Sequence, residues 1–249
     1  LVVEDNVINT MVLQGVLAKL GFSRIDKARD GLEAIESVGN EAYDLILMDC
    51  QMPRMDGYEA TRRLRDSGVV TPIVAMTAHA LSGDREKCLA AGMDDYLTKP
   101  VVIDALAACI EKWLGPDTSS PHDAAASGDD AGNDASRDFL FGDFMKLMMG
   151  DVDLANTLLK MFVDSAPGSI EQLRSAIASG DGAQIRAAAH LIKGAAANLC
   201  AAELKDVAYA IEMAGLNGDT ALANTLVTRL DACWQDFLRH PKVRECLAA

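Results

Sequence analysis

Positive charge is scarce in this chain. Against 37 Asp and Glu stand only 23 Lys and Arg, a formal net charge of −14 over 249 residues. No basic cluster interrupts that balance, so no nucleic-acid partner is expected. Long apolar runs are also missing. Half of the residues are apolar, yet no run reaches the length of a membrane span, and no direct membrane contact is expected. The six cysteines (Cys50, Cys88, Cys109, Cys200, Cys233 and Cys246) show no C-x-x-C spacing. They fall mostly within apolar or helical patterns, which points to reduced thiols of a cytoplasmic protein. Neither Met nor a signal peptide precedes Leu1, which opens inside a strand pattern. The expectation is a fragment of something longer, with room for one or two ordinary domains.

What is present is organised around Asp44–Gly57, D-L-I-L-M-D-C-Q-M-P-R-M-D-G. Leu45–Met48 is a short unbroken apolar run of the kind buried on both faces of a parallel sheet. It stops at Asp49, and Pro53, Asp56 and Gly57 then turn the chain. An Asp at the carboxyl end of a buried strand sits where open α/β sheets place their active sites. Alone, Asp49 would read as a cap for the next turn. Other strand ends supply it with partners.

Leu1–Val3 ends a buried strand, followed by Glu4-Asp5-Asn6. Asn6 caps a helix to about Leu20, ended by Gly21, with Val12, Leu13, Val16, Leu17 and Leu20 as its core stripe. Val7, Met11 and Ala18 are left on the other side, as ordinary exposed residues or as a docking face. Arg24–Ala28 is a weak strand, and Asp30–Val38 a short helix ended by Gly39. Tyr58–Asp66 is a helix, and Pro72–Met76 a strand ending at Thr77. Ser82 caps a helix through Ala91, Tyr96–Thr98 is a strand before Lys99-Pro100, and Ile103–Leu114 is a helix. Its inward residues are Ile103, Leu106, Ala107, Ile110 and Leu114. Five such alternations predict an α/β doubly wound, five-stranded parallel sheet.

In that fold Glu4, Asp5, Asp49, Thr77 and Lys99 lie at carboxyl ends of strands on one edge. Carboxylates without soft ligands suit a hard cation such as Mg²⁺. A hydroxyl and an ammonium beside them suit phosphoryl oxygens, and a carboxylate can attack phosphorus to form an acyl phosphate.

These motifs, V-V-E-D-N, L-I-L-M-D-C-Q-M-P-R-M-D-G, P-I-V-A-M-T-A and A-G-M-D-D-Y-L-T-K-P, give residues 1–115 a close resemblance to response-regulator receiver domains, whose fold is flavodoxin-like. The resemblance implies Asp49 as phosphoacceptor. It implies Mg²⁺ held by Asp5, Asp49 and the backbone carbonyl of Gln51, with Glu4 acting through water. Thr77 and Lys99 would contact the phosphoryl oxygens, Tyr96 would change rotamer with Thr77, and Lys99-Pro100 would be cis.

Residues 116–137 lack apolar periodicity and read as a flexible acidic linker, in which His122 is spacer. Its 22 residues would span roughly 25–28 Å as a coil. Residues 138–249 carry only helical pattern. Phe139–Met149, Asp151–Asp164, Gly168–Ala178, Gly182–Leu199, Ala202–Ala214 and Thr220–Arg239 predict a helical bundle. Pro167 either kinks a helix or starts the next one. In A-A-A-H-L-I-K-G-A-A-A-N-L, Ile185, Ile192 and Leu199 recur every seven residues, and His190 lies nearly opposite them. Arg186, Lys193 and Gly194 share its face with small residues. Gly194 weakens a helix interior by about 1 kcal/mol against Ala, which suggests a close approach there. Neutral imidazole is a competent phosphoryl acceptor.

This second region resembles a histidine-containing phosphotransfer domain through A-H-L-I-K-G-A-A-A-N-L. Ala195 and Ala196 stand where many relatives carry hydroxyls, and Asn198 is in place. The resemblance implies His190 as the phosphohistidine through Nε2. A receiver followed by such a domain is the usual carboxyl end of a hybrid sensor histidine kinase. No Gly-rich ATP lid or dimerisation helix appears, so the kinase core is expected upstream, as is any tether to the inner membrane. The expected function is a phosphorelay from a kinase histidine to Asp49, then His190, then an external receiver. An aspartate-dependent phosphohydrolase would need a second Asp where Gln51 stands. A non-phosphorylated scaffold would not need the full set of strand-end residues.

Overall fold

The computed structural model describes residues 1–77, 82–115 and 139–248. The linker expected at 116–137, with His122, lies outside them, as does the side chain of Ser82 that was expected to cap a helix.

The first region runs β1 (Val2–Val3), α1 (Val7–Lys19), β2 (Lys27–Ala28), α2 (Gly31–Asn40), β3 (Ile46–Asp49), α3 (Gly57–Asp66), β4 (Ile73–Thr77), α4 (Ser82–Ala90), β5 (Asp95–Thr98) and α5 (Ile103–Leu114). All strands are parallel, in the order β2-β1-β3-β4-β5. The order reverses between β1 and β3, so the crevice at their carboxyl ends is the switch point where such sheets bind ligands. Register pairs Val3 with Met48 and Asp49 with Met76. Glu4-Asp5, Asp49 and Thr77 therefore leave the sheet along one edge. Ile46, Leu47 and Met48 are fully buried, as a doubly covered strand requires.

Asn6 caps α1, its side chain accepting from the backbone N–H groups of Ile8 and Asn9, which fixes the helix start one residue past the acidic pair. Two expectations fail. Gly39 does not end α2, which runs one residue further to Asn40 and closes with Glu41 N–H donating to Ser37 O. One glycine costs only about 1 kcal/mol against Ala, too little to outweigh that closing bond and the packing of the helix. Leu114 is 37% exposed, because the buried stripe of α5 runs through Leu106, Cys109 and Ile110.

The second region is α6 (Phe141–Leu147), α7 (Val152–Ser179), α8 (Gly182–Asn198), α9 (Ala202–Leu216), α10 (Thr220–Arg239) and α11 (Pro241–Ala248). Pro167 lies inside α7, which runs through it unbroken in sequence. The stripe Leu159, Phe162, Ala166, Ile170, Leu173 and Ile177 keeps helical spacing across the proline and is buried throughout. Burying large apolar side chains at about 1.5–3 kcal/mol each exceeds the ~3 kcal/mol cost of an interior proline. Helix α11 escapes sequence reading: Pro241 serves as its start, and Val243 and Cys246 seat it.

The regions meet through α1, which packs on α7 and α8. Gly15 admits Leu154, whose Cδ2 stands 2.7 Å from where a Cβ would be. Lys19 Nζ donates to Met148 O at 2.8 Å and lies 3.2 Å from Asp151 Oδ2. Among the described residues, no helix is long and apolar enough to cross a membrane.

Candidate functional site

The sheet edge gathers a buried acidic cluster. Glu4, Asp5 and Asp49 offer carboxylate oxygens that all lie within 4.8 Å of one another. Glu4 and Asp49 are each 2% exposed. Lys99 Nζ lies 2.6 Å from Glu4 Oε2 and 2.6 Å from Asp49 Oδ2. Gln51 N–H donates to Asp49 Oδ1 at 3.1 Å. Gly57 makes this geometry possible, since a Cβ there would stand 2.1 Å from Asp49 O. Thr77 is buried at the end of β4, Tyr96 is half-buried on β5, and the Lys99-Pro100 peptide is cis.

One ammonium does not balance this cluster. Burial pushes the Glu4 carboxyl up to about 8 despite Lys99, with Asp49 and Asp5 adding to the rise. Burial and Asp49 push Asp5 up to about 6. Burial also disfavours the Lys99 ammonium, but Asp49 and Glu4 outweigh that and hold it above its ordinary value. Asp49 Oδ2 is paired with Lys99 without a well-directed hydrogen bond, and Gln51 Oε1 is buried without a partner. Hard oxygen donors with excess negative charge and an under-coordinated carboxylate oxygen fit a divalent cation such as Mg²⁺.

The bundle carries the second half. His190 projects from α8 away from Ile185, Ile192 and Leu199, which are buried. Its face is nevertheless not open: the His190 side chain is 15% exposed and that of Lys193 10%. Helix α9 covers it with Glu212. Nδ1 of His190 lies 2.8 Å from Glu212 Oε1, and Lys193 Nζ donates to Glu212 Oε2 at 2.6 Å. Lys193 is thus an ion-pair partner inside the domain rather than a cation standing free on a flat surface. Arg186 is exposed. Burial would raise the Glu212 carboxyl, but hydrogen bonds from His190 and Lys193 outweigh it and hold it at about 2. An ionised carboxylate only accepts, so Nδ1 of His190 is the ring nitrogen that donates to Glu212, which turns Nε2 toward the cavity side as the other ring nitrogen. Glu212 was missed in the sequence. Its signal was a charge on the apolar stripe Leu204, Val207, Ala208, Ile211 and Ala214, which a buried partner must explain.

The two halves face each other. A cavity of about 290 Å³ is lined by Glu4, Asp5 and Lys99 from one and by His190, Lys193 and Gly194 from the other. Asn6 Nδ2 donates to Leu191 O at 3.0 Å, and Asn198 Nδ2 donates to Asn9 Oδ1 at 2.6 Å. A Cβ on Gly194 would stand 3.2 Å from Asn9 Nδ2, so its lack of a side chain serves this approach. On α1, Met11 is half-buried against the core, whereas Val7 is 58% exposed and Ala18 is exposed. Asn6, Asn9, Gly15 and Lys19 carry contacts that sequence reading did not single out.

Residues 1–111 match the family model of the response regulator receiver domain, and residues 157–240 match that of the Hpt domain. The chain is a receiver domain followed by an Hpt domain. It is 32% identical over 200 residues to the sensor histidine kinase GacS of Pseudomonas protegens, covering 78% of this chain and 22% of that protein. It is 43% identical over 106 residues to the sensor histidine kinase RcsC of Salmonella typhi, covering 43% of this chain and 11% of that protein. Among solved structures, the receiver domain of sensor histidine kinase PA1611 from Pseudomonas aeruginosa, with a magnesium ion coordinated in its active site cleft, is 46% identical. That match covers 46% of this chain and 95% of that one, with a TM-score of 0.43. The chain therefore spans about a fifth or less of both kinases. The receiver contributes Glu4, Asp5 and Lys99 to the shared cavity, and the Hpt domain contributes the imidazole.

Proposed function

We propose that the chain is a phosphorelay module with a receiver at 1–115, a linker at 116–137 and an Hpt domain at 138–249, in which Asp49 and His190 exchange a phosphoryl group. The observation that carries this is the shared cavity. It is lined by His190 on one side and by Glu4, Asp5 and Lys99 on the other, with Lys99 reaching back to Asp49.

A carboxylate oxygen of Asp49 takes the phosphoryl group from a histidine kinase, and the donor imidazole leaves. Asp5, Asp49 and the Gln51 backbone carbonyl would hold Mg²⁺, with Glu4 behind them. A bound divalent cation supplies charge neutralisation at the phosphoryl oxygens. Lys99 and Thr77 contact those oxygens, and Tyr96 responds to Thr77. Nε2 of His190 then attacks phosphorus. The N–P bond forms, the acyl P–O bond breaks, and Asp49 leaves as a carboxylate. The imidazole ring gains positive charge as it accepts, and Glu212, already ionised against Nδ1–H, offsets that charge without rearranging. Lys193 keeps Glu212 in place, and Asn198 and Gly194 seat the α8 face on α1. His190 hands the group to a downstream receiver. The kinase core upstream is proposed to belong to the same polypeptide.

Phosphate-lability mapping tests this reading after labelling by a cognate kinase. Acid-stable, base-labile label at Asp49 and acid-labile, base-stable label at His190 are expected. Undiminished acyl phosphate in Asp49→Asn would rule the assignment out.

A further inference from the structure

An uninterrupted chain of polar contacts runs from the Hpt domain through Asn9 into the acidic cluster. Asn198 Nδ2 donates to Asn9 Oδ1 at 2.6 Å. Asn9 Nδ2 donates to Glu4 Oε1 at 2.7 Å. Glu4 Oε2 accepts from Lys99 Nζ at 2.6 Å, and Lys99 Nζ lies 2.6 Å from Asp49 Oδ2. Asn9 is 4% exposed, too buried for solvent to replace either partner cheaply.

A primary amide has fixed polarity, one acceptor end and one donor end. Turning the Asn9 amide over would set its NH₂ against the NH₂ of Asn198 and its oxygen against the Glu4 carboxylate. Both contacts would become repulsive. With Asn198 oriented as it stands, the Hpt domain and the acidic cluster are satisfied by the same orientation of the Asn9 amide. Without Asn198, only Glu4 holds that orientation. Gly194 leaves the room for this, since a Cβ there would press on Asn9 at 3.2 Å from Nδ2.

Resting on the cation site of the proposed function, we infer that Asn9 is a positioning residue that couples Hpt docking to cation binding at Glu4, Asp5 and Asp49. Docking locks the amide, the amide locks the Glu4 carboxylate, and the three carboxylates are held in the arrangement that brackets a cation. Coupling of this kind is reciprocal: the cation tightens docking by the factor by which docking tightens the cation.

The test is calorimetric titration of the full chain with MgCl₂, without phosphate. Asn198→Ala lies on the Hpt side, apart from the carboxylates. It removes one hydrogen bond and should weaken Mg²⁺ binding about three- to tenfold. In an Asn9→Ala background the same substitution should change nothing, because the relay is already cut. Lys19→Ala loosens the same interface at Met148 and Asp151 without touching Asn9, and should leave Mg²⁺ affinity within about twofold. Equal affinity in wild type and Asn198→Ala overturns the role of Asn9. So does a Lys19→Ala loss as large as that of Asn198→Ala, which would assign the effect to docking in general. No saturable Mg²⁺ binding in wild type would instead remove the cation site of the proposed function itself, a failure visible before any variant is compared.

Discussion

The receiver site and the Hpt site solve opposite charge problems. At the sheet edge, three carboxylates face one ammonium, and burial raises Glu4 and Asp5 far above ordinary carboxylate values. In the bundle, one carboxylate serves an imidazole and an ammonium and is held at about 2. The first site is out of balance until positive charge arrives. The second is balanced within the protein, with Glu212 between His190 and Lys193. An acceptor that must wait for a cation can be gated. In the proposed relay, an acceptor whose orienting carboxylate is built in would need no cation of its own.

Removing the cation should break this contrast most sharply. With a chelator present, Asp49 phosphorylation by a small phosphodonor should fall by roughly two orders of magnitude or more. Transfer from a pre-phosphorylated external receiver onto His190 should lose only what that donor loses. Gel quantification of labelled protein reads both. Equal sensitivity of the two sites would erase the asymmetry.

Glu212→Ala should slow transfer to His190 by about 10- to 100-fold and leave Asp49 phosphorylation unchanged. It should also destabilise the Hpt domain by about 3 kcal/mol, since Lys193 keeps its burial and loses its partner. Glu212→Gln retains a hydrogen-bond acceptor without the charge and should fall between. Rapid-quench kinetics and urea unfolding separate the two effects.

A pH series sharpens the same point. Glu212 is held at about 2 against an ordinary 4.5. Its folded value is the lower one, so its contribution is complete above pH 4.5 and is lost as the pH falls toward 2. The difference is on the order of 3 kcal/mol. The stability gap between wild type and Glu212→Gln, measured by urea unfolding, should shrink between pH 5 and pH 2.5. A gap independent of pH would mean that the carboxylate charge is not what holds the site.

The smallest effect concerns the seat between the domains. Gly194→Ala should raise the intrinsic stability of α8 by about 1 kcal/mol and still slow transfer a few-fold, because the added Cβ presses on Asn9. Faster transfer in the more stable variant would show that this approach is not needed.

The two sites also differ in how much of them could be read in advance. Glu4, Asp5, Asp49, Thr77 and Lys99 each follow an apolar strand run, and a parallel sheet brings strand ends together by topology alone. The histidine stood out on α8, but Glu212 comes from the next helix, and no local pattern ties the two. Helical spacing also exposed the face of His190 without saying what covers it, so Lys193 looked open and is buried. Boundaries went astray where a weak local signal met packing. Pro167 sits inside α7 because the buried stripe continues across it. Gly39 sits inside α2. Asn9 was not singled out in the sequence, since its hydrogen-bond partner Asn198 lies 189 positions away.

The central claim is that Asp49 and His190 of one chain exchange phosphate through the cavity that His190 shares with Glu4, Asp5 and Lys99. Mixing Asp49→Asn chains with His190→Gln chains, after labelling the latter at Asp49, tests it most directly against wild type at a series of dilutions. The account predicts transfer in wild type at a rate independent of concentration, and slow transfer in the mixture that scales with concentration. Label reaching His190 in the dilute mixture as fast as in wild type would contradict it.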